Sequence, residues 1–525
     1  MQLSAEEPQR QHGPFAGFAD SAQDRTSLFQ GARNELRARW PEWCTVSIYA
    51  ALVAWAIPFH EPWVDEAQAW QLARSLSLPA LFKTYIRYEG SPGLWYFLLW
   101  ILNRAYIGYA GLHWICGIIA LAAASLLVFA SPLPRILKLS LPFTSFLLFQ
   151  YAVVARNYVL VPILLFTVAY CWKKSPLVVA LVLGLLANTA LHAAVISAGL
   201  ALVYGIEYLR DGSLKSADRR RKLLLFALIV AASYAFAIWT AWPPHDLALS
   251  RVRGDAPTPV AHALASLVWG ICEPWGLSIP FWIVIAAWFA ARRKLLYLLP
   301  VLFFAVFSGE VYANWWHVGL LVPLLICLLW ITWPEPGAGN SRYETIGQFA
   351  MSFMIATQCL WSGYALFYDH YHPYSGDPAA AAFLKPFVQN GATIAVTFID
   401  DEGNHAFDGV GILPYFDKNI YFNQANSFWW WSDLDTTEDR FNQILPTHPN
   451  LVLVEVRYKG GVDRIDLNQP RIVSVEKVGY RFVHAYCGTY PQRLQLGLTT
   501  CHVIFEYADG MPPALKSETL VLVNR

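Results

Sequence analysis

Long apolar stretches, separated by short polar segments, recur along the first two thirds of the chain. They run about 17 to 22 residues, the length that a helix needs to cross the hydrocarbon core of a bilayer. They predict a first crossing at residues 44–60 and a long outer loop, residues 61–112. Further crossings are predicted at 113–130, 139–155, 158–172, 176–191, 194–209, 223–242, 277–290, 295–308, 317–333 and 347–367. The predicted fold class is a multi-pass α-helical membrane protein with about eleven transmembrane helices.

The apolar run at residues 94–102 is short and ends at Asn103-Arg104, so we interpret it as an interfacial or re-entrant helix within the outer loop. Four basic clusters then share one side of the membrane, which the excess of Lys and Arg marks as cytoplasmic. The clusters are Arg135 with Lys138, Lys173-Lys174, residues 219–222 and residues 292–294. The polar segment 1–43, with Arg25, Arg33, Arg37 and Arg39, is expected to be an uncleaved cytoplasmic N-terminal segment.

The pattern changes near residue 369, where short β-branched runs replace the long apolar ones. Strands are predicted at 393–399, 451–456, 471–475, 502–505 and 520–523, and a helix at 377–389. Residues 369–525 are therefore expected to form a soluble α/β domain on the extracytoplasmic side. Of eight cysteines, only Cys487 and Cys501 fall in this tail. They would form a disulfide there in an oxidising compartment and otherwise remain thiols.

Composition agrees with a membrane protein. Hydrophobic residues make up 56% of the 525 residues and charged residues 14%, against about 25% charged in soluble domains. The formal net charge is +1, and the sequence contains neither a basic surface interleaved with aromatics nor a Gly-rich phosphate loop. Membrane lipids are therefore expected partners, and nucleic acid is not.

An acidic pair, Asp65-Glu66, follows the first predicted crossing. Pro62 suits the first turn of a helix, and the residues after it have the spacing of an amphipathic helix on the membrane surface. Asp65 would lie in that first turn, where the helix dipole favours the ionised carboxylate. Such a carboxylate at the bilayer edge can accept a proton from a hydroxyl. The alternative is that both acids only cap the helix.

A second segment of the same loop reads Tyr88-Glu89-Gly90-Ser91-Pro92-Gly93-Leu94-Trp95-Tyr96. Its Pro and Gly residues predict a sharp turn, and its aromatics suit the headgroup layer. We predict that Tyr88 and Glu89 contact a substrate. Without the nearby acid pair, the segment would be an ordinary turn with aromatic anchors.

Together these segments resemble the outer loop of GT-C glycosyltransferases, polytopic enzymes that use polyprenyl-phosphate sugars and include protein O-mannosyltransferases and lipid A aminoarabinose transferases. In that family an Asp-Glu pair follows the first crossing and a His-Pro-Pro-like turn opens a later helix. Family members often carry His where this chain has Ser91 and a second Pro where it has Gly93. The resemblance covers roughly residues 44–370. It implies a catalytic site containing Asp65 and Glu66, in which Asp65 deprotonates the acceptor hydroxyl and the anomeric carbon is inverted.

Cationic side chains at outer span ends are candidates to bind the donor phosphate. Arg156 closes the run before residue 157, and an Arg at membrane depth is costly unless it serves a function. It could instead extend to the headgroups. Arg251 and Arg253 also lie outside on this topology, where they would bind the donor phosphate or meet anionic headgroups.

Two histidines lie at predicted outer span ends. His317 is a candidate for the donor phosphate, and His192 and Tyr312 for substrate binding. A single His at a span end is also a common interfacial hydrogen-bonding residue. No grouping of His, Cys and carboxylates has the spacing typical of a metal site, so no metal ligand is predicted.

These features predict an enzyme, a hexosyl- or pentosyltransferase of mannosyltransferase-like type. It would move one sugar from a polyprenyl-phosphate donor to a lipid, glycan or protein acceptor of the cell envelope, at the periplasmic face of a bacterial inner membrane. The main alternative is a transporter or flippase of a lipid-linked intermediate, although transporters tend to have repeated halves and midplane acids. A third possibility is a structural subunit whose C-terminal domain binds a partner in the envelope. The resemblance leaves a divalent cation open, because some GT-C enzymes use one and others do not.

Overall fold

The computed structural model describes residues 38–211, 216–247, 258–334, 342–400, 409–432, 437–461, 464–508 and 519–521. Most of the predicted N-terminal segment, with Arg25, Arg33 and Arg37, lies outside these ranges, as do Arg251 and Arg253. The described chain is a mostly helical part followed by a small C-terminal sheet domain.

The helical part contains long apolar helices joined by short turns. Its helices are α1 (Trp40–Ala56), α2 (Val64–Ser75), α3 (Leu78–Lys83), α4 (Leu94–Arg104), α5 (Tyr109–Ala130), α6 (Arg135–Ser140), α7 (Leu160–Cys171), α8 (Pro176–Ala187), α9 (Leu191–Arg210), α10 (Ala217–Ala241), α11 (Pro259–Trp269), α12 (Ser278–Ala291), α13 (Leu299–Glu310), α14 (Trp315–Val318), α15 (Leu321–Thr332) and α16 (Arg342–Tyr371). All residues of α15 are buried, as expected for a helix that is apolar on every side, so α15 lies at the centre of this part.

Four helical segments of the described chain are long and apolar enough to cross a membrane. They are Tyr109–Ala130, Leu191–Arg210, Ala217–Ala241 and Trp315–Thr332, and five shorter apolar helices accompany them. The short run at residues 94–102 forms a separate helix, α4, as predicted. The helix α11 was not predicted.

The predicted crossing at residues 139–155 is not one continuous helix. After α6, the chain passes through a 3₁₀ turn at Leu141–Phe143 and a π-helical turn at Phe146–Gln150, and then loses regular structure. Pro142 removes one backbone donor from this run. Irregular backbone is tolerated among apolar helices only where protein surrounds it, and residues 146–155 are buried throughout. This segment leads directly to Arg156.

Helices α9 and α13 approach each other closely at Gly199. A Cβ atom at Gly199 would lie 2.5 Å from the backbone Cα of Pro300, closer than two carbon atoms pack. A Cβ atom at Gly205, on the same helix, would meet nothing within 4 Å. The two glycines therefore differ in packing while they share one helix.

We expect Gly199→Ala to lower stability by about 1–3 kcal/mol, because the added methyl group must push the two helices apart. Gly205→Ala is the matched control and should be neutral or stabilise the helix by about 0.5–1 kcal/mol. The measurement is the unfolding temperature of each purified variant in one detergent. Equal unfolding temperatures for the two variants would contradict the close packing.

The C-terminal domain contains a mixed four-stranded sheet of order β1-β2-β5-β4. Strands β1 and β2 are parallel, and the other neighbouring pairs are antiparallel. Its elements are α17 (Asp377–Gln389), β1 (Ile394–Asp400), α18 (Thr437–Ile444), β2 (Leu451–Lys459), β3 (Arg464–Asp466), α19 (Pro470–Lys477), β4 (Tyr480–Gln492), β5 (Gln495–Tyr507) and β6 (Thr519–Val521). A separate antiparallel pair joins β3 and β6.

The predicted helix 377–389 and the strands near 393, 451, 502 and 520 are present in the domain. The predicted strand 471–475 is wrong. It is part of the helix α19, because Pro470 starts the helix and Ile472 and Val475, one turn apart, are buried on one face. Strand β4 was missed. It places Cys487 opposite Cys501 on β5, and the two form a disulfide.

The C-terminal domain packs on the outer loop. Arg74 of α2 donates to the carbonyl oxygen of Phe416 at 2.9 Å, and Oε2 of Glu61 accepts from the backbone N–H groups of Ser375 and Gly376 at 3.1 and 2.8 Å. The helix α2, which carries the acidic pair, therefore lies where the helical part contacts the C-terminal domain.

Candidate active site

Asp65 and Arg156, 91 residues apart, form an ion pair. The helix α2 begins at Val64, so Asp65 lies in its first turn as predicted, while Pro62 lies just before the helix. Nη1 of Arg156 is 2.5 Å from Oδ2 of Asp65, and the two side chains are 19% and 20% exposed. The pair is thus shielded but still open to a ligand. The roles of Asp65 as a base and of Arg156 in binding a phosphate stay predictions.

Aromatic rings surround the guanidinium of Arg156. Its Cζ atom lies 5.3 Å from the ring centroid of Trp63 and 5.4 Å from those of Tyr158 and Trp316. The negative ring faces stabilise a cation, and the rings limit its access to water. These contacts and the ion pair hold the guanidinium of Arg156 beside Asp65.

Glu66 points the other way, into the protein, and is 1% exposed. Its Oε1 accepts from the backbone N–H of Trp63 at 2.8 Å, which caps α2, and its Oε2 accepts from the N–H of Ala155 at 2.5 Å. Nε2 of His60 lies 3.4 Å from Oε1, and Nε2 of His113 lies 3.1 Å from Oε2. Glu66 therefore fixes the backbone beside Asp65 and beside Arg156, and its carboxylate is enclosed by protein.

Buried charges accompany Glu66. Burial alone would raise the pKa of Glu66, but hydrogen bonds from His113 and His60 hold it well below its usual range. Nδ1 of His60 lies 3.2 Å from both carboxylate oxygens of Asp369, near the end of α16.

Glu89 is partly buried near the ion pair. It accepts from Nε2 of Gln68 at 2.8 Å and from the hydroxyl of Tyr96 at 3.4 Å. Burial raises the pKa of Glu89 to about 7. The hydrogen bond from Gln68 lowers this pKa, and the negative charge of Asp65 raises it. Glu89 therefore titrates near neutral pH beside the predicted base.

Glu89 should make the stability of the protein depend on pH. Its pKa is higher in the folded chain, about 7, than the 4.5 of a free Glu, so the folded state binds the proton more tightly. The free energy of unfolding then falls as pH rises from about 4.5 to 7, by up to about 3 kcal/mol from this group. Glu89→Gln should remove this decline. Unfolding temperatures of both proteins at pH 5 and pH 8 test it, and a difference independent of pH would contradict it.

The predicted residues His192, Tyr312 and His317 come together next to Arg156. The imidazole rings of His192 and His317 stack with centroids 4.1 Å apart, and Nε2 of His192 lies 2.9 Å from the carbonyl oxygen of Tyr312. Tyr158 links the group to Arg156, since its ring lies 5.5 Å from that of His317. Both histidines are buried, so any substrate contact by them stays a prediction.

Tyr88 is turned away from this group. Its hydroxyl donates to the carboxylate of Asp246 at 2.9 and 3.0 Å, and Asp246 also accepts from Ser432 of the C-terminal domain at 2.7 Å. The contacts of Tyr88 thus join the outer loop to that domain. Ser91 stands next to the site, because Nδ2 of Asn157 donates to its hydroxyl at 3.3 Å.

Sequence reasoning missed His60, His113 and Asp369 as members of the site. His60, Glu66 and His113 form a group whose potential ligand atoms all lie within 4.8 Å of one another, so they could hold a metal ion. Their spacing along the chain matches no metal motif, because three separate segments supply them. The available signal was His113, an ionisable residue within an apolar span.

The site thus combines an ion pair, a buried Glu-His group and a histidine-tyrosine stack at the junction of the two parts of the chain. A scan against protein-family models and a search of curated proteins return no match for this chain.

Proposed function

We propose that this protein is an inverting GT-C-like glycosyltransferase, which moves a sugar from a polyprenyl-phosphate carrier to an acceptor at the extracytoplasmic face of a bacterial inner membrane. The observation that carries the proposal is the shielded ion pair of Asp65 and Arg156. A base and a cation held in contact are the two groups that a single displacement at a lipid-linked phosphate requires. The acceptor is a hydroxyl of a lipid, glycan or protein.

In the proposed reaction, Asp65 takes the proton of the acceptor hydroxyl. The acceptor oxygen attacks the anomeric carbon while the bond from that carbon to the phosphate oxygen breaks. The electron pair of that bond leaves with the polyprenyl phosphate, and Arg156 stabilises the added negative charge. One displacement inverts the anomeric carbon, so no second carboxylate is needed as a nucleophile. Glu66 and Glu89 are then free to hold the site in place.

The dimensions of the bundle fit a membrane orientation with this site at one surface. Helix α9 has His192 at the site end and Arg210 at the other, about 27 Å away at 1.5 Å per residue, close to the thickness of a hydrocarbon core. Around that far end, one cavity is lined by Lys173, Arg210, Arg219, Lys222, Arg293 and Lys294. Basic residues collect on the cytoplasmic side, and the disulfide of the C-terminal domain suits an oxidising compartment. Both observations support an orientation with the site outside, within the proposed multi-pass topology of about eleven crossings.

The test is sugar transfer by the purified protein in proteoliposomes. A labelled polyprenyl-phosphate sugar is offered with an extract of envelope lipids and glycans as acceptors, and the products are examined by mass spectrometry for a new glycosidic bond and released polyprenyl phosphate. We expect both products in equal amounts. Movement of the intact donor between leaflets without a new bond would identify a flippase and overturn the proposal.

A further inference from the structure

His60, Glu66 and His113 form a buried group of ionisable side chains at the site. The side chains of His60 and Glu66 are 0% exposed and that of His113 is 4% exposed. His60 follows α1, Glu66 lies in the first turn of α2, and His113 in the second turn of α5. Three separate segments of the chain therefore bring their polar side-chain atoms to one point.

The distances fit a metal ion. Ligand atoms about 2.0–2.1 Å from a tetrahedral zinc ion lie about 3.3 Å from one another. Nε2 of His60 is 3.4 Å from Oε1 of Glu66, and Nε2 of His113 is 3.1 Å from Oε2. Two imidazoles and one carboxylate form a donor set that binds zinc in proteins and leaves one position for water. We propose that His60, Glu66 and His113 bind one zinc ion.

The atoms behind these ligands have the arrangement that metal sites use. Asp369 lies 3.2 Å from Nδ1 of His60, where a carboxylate accepts the N–H and directs Nε2 toward the metal. Both oxygens of Glu66 are fixed by backbone N–H groups, and each keeps lone pairs for the ion. The rings of Phe149 and Tyr374 pack against His60 at 6.0 and 4.8 Å between centroids and cover the site.

Charge favours a cation at this point. Two buried carboxylates, those of Glu66 and Asp369, would leave an uncompensated double negative charge beside two neutral imidazoles, and buried charge without compensation is costly. A divalent ion balances it. The competing explanation is that protons balance the charge and the histidines only donate hydrogen bonds to Glu66. The two explanations differ in metal content.

The proposed ion would position the catalytic pair, a consequence that rests on the proposed function. Glu66 binds the backbone of Trp63 and Ala155, which are two and one residues from Asp65 and Arg156. An ion that fixes Glu66 therefore fixes the separation of base and cation without touching the substrate. Glu66 would act as a positioning residue.

Metal content of the purified full-length chain tests the site, with an affinity tag that contains no histidine. After purification from zinc-supplemented medium and passage over a chelating resin, we expect about one zinc per chain by mass spectrometry of the metal. Cobalt exchanged into the protein should give the visible absorption of a tetrahedral ion. Zinc below one tenth per chain, with no binding when zinc is titrated back, would overturn the proposal.

Variants separate the site from other histidines. His113→Asn and Glu66→Gln should lose at least nine tenths of the zinc. His448→Asn, an exposed histidine with a left-handed backbone that Asn tolerates, should keep all of it. Retention of zinc by both folded site variants would refute the assignment.

Removal of zinc from the wild-type protein by a strong chelator gives a test that does not require the variants to fold. It should lower the unfolding temperature, which added zinc restores, and an unchanged temperature would count against the site.

Transfer assays on the zinc-free and zinc-restored wild-type protein connect the two proposals. Zinc-dependent transfer is expected. Zinc at one per chain with no transfer under any condition would leave the metal site standing and remove the proposed function. Transfer by a protein that binds no zinc would leave the proposed function standing and remove the metal site.

Discussion

Replacing Asp65 with Asn is expected to slow sugar transfer by about 10²–10⁴-fold, the contribution of a positioned general base. The amide keeps the size of the carboxylate, and its oxygen can still accept from Arg156, which lies 2.5 Å from Asp65 in the wild type. It cannot take the acceptor proton. The loss should therefore fall on kcat, measured from initial rates at saturating donor, while the unfolding temperature stays close to that of the wild type.

Asp211→Asn is the matched control for this variant. Asp211 is an exposed aspartate at the end of the helical part opposite the site. Its carboxylate lies 3.9 Å from the guanidinium of Arg219. Its loss should leave transfer unchanged. Equal turnover by the wild type and the Asp65→Asn protein would remove Asp65 from the mechanism.

Arg156→Gln is expected to reduce kcat by about 10²–10³-fold, comparable to the loss of one group that stabilises a developing anion. The variant also leaves Asp65 without its partner. Arg156→Lys should recover only part of the activity, because an ammonium group cannot fill the planar space between three aromatic rings. Inhibition by added polyprenyl phosphate distinguishes the roles. It should weaken in the Arg156→Gln protein and persist in the Asp65→Asn protein.

The control for Arg156 is Arg104→Gln. Arg104 also packs over an aromatic ring, at 4.6 Å from the centroid of Trp100, and donates to the carbonyl oxygens of Ala73 and Leu76. It lies on the outer loop but has no contact with Asp65, so its variant should transfer sugar normally. Unaltered inhibition by polyprenyl phosphate in Arg156→Gln would exclude a phosphate contact by Arg156.

Apolar periodicity predicted most of the helical part because hydrophobic length reports directly on helix length. It failed at residues 139–155, where the same apolar composition folds into turns. Burial and the hydrogen bond from Ala155 to Glu66 stabilise this irregular path, and neither is visible in a local window. It failed again at residues 471–475, whose β-branched residues suit a strand, since tertiary packing on one helical face outweighed that preference.

The site was predicted in the same uneven way. Asp65 and Arg156 stood out because charge at an apolar boundary is costly, and the structure pairs them. Glu66 was predicted with Asp65, but neighbouring residues on a helix point in different directions, and Glu66 is buried. His60, His113 and Asp369 are separated by up to 309 residues. Only the packing of α1, α5 and α16 brings them together, and no spacing rule encodes that packing.

The side-chain amide of Gln68 makes two hydrogen bonds with the backbone of one residue of the C-terminal domain, Trp429. Its Nε2 donates to the carbonyl oxygen of Trp429 at 2.7 Å, and its Oε1 accepts from the N–H of Trp429 at 2.8 Å. The same Nε2 donates to Glu89. A protein truncated before this domain would thus lose both hydrogen bonds between Gln68 and Trp429, and the amide would keep only its bond to Glu89. The C-terminal domain and the helical part therefore depend on each other at the site, and reconstitution should use the full-length chain.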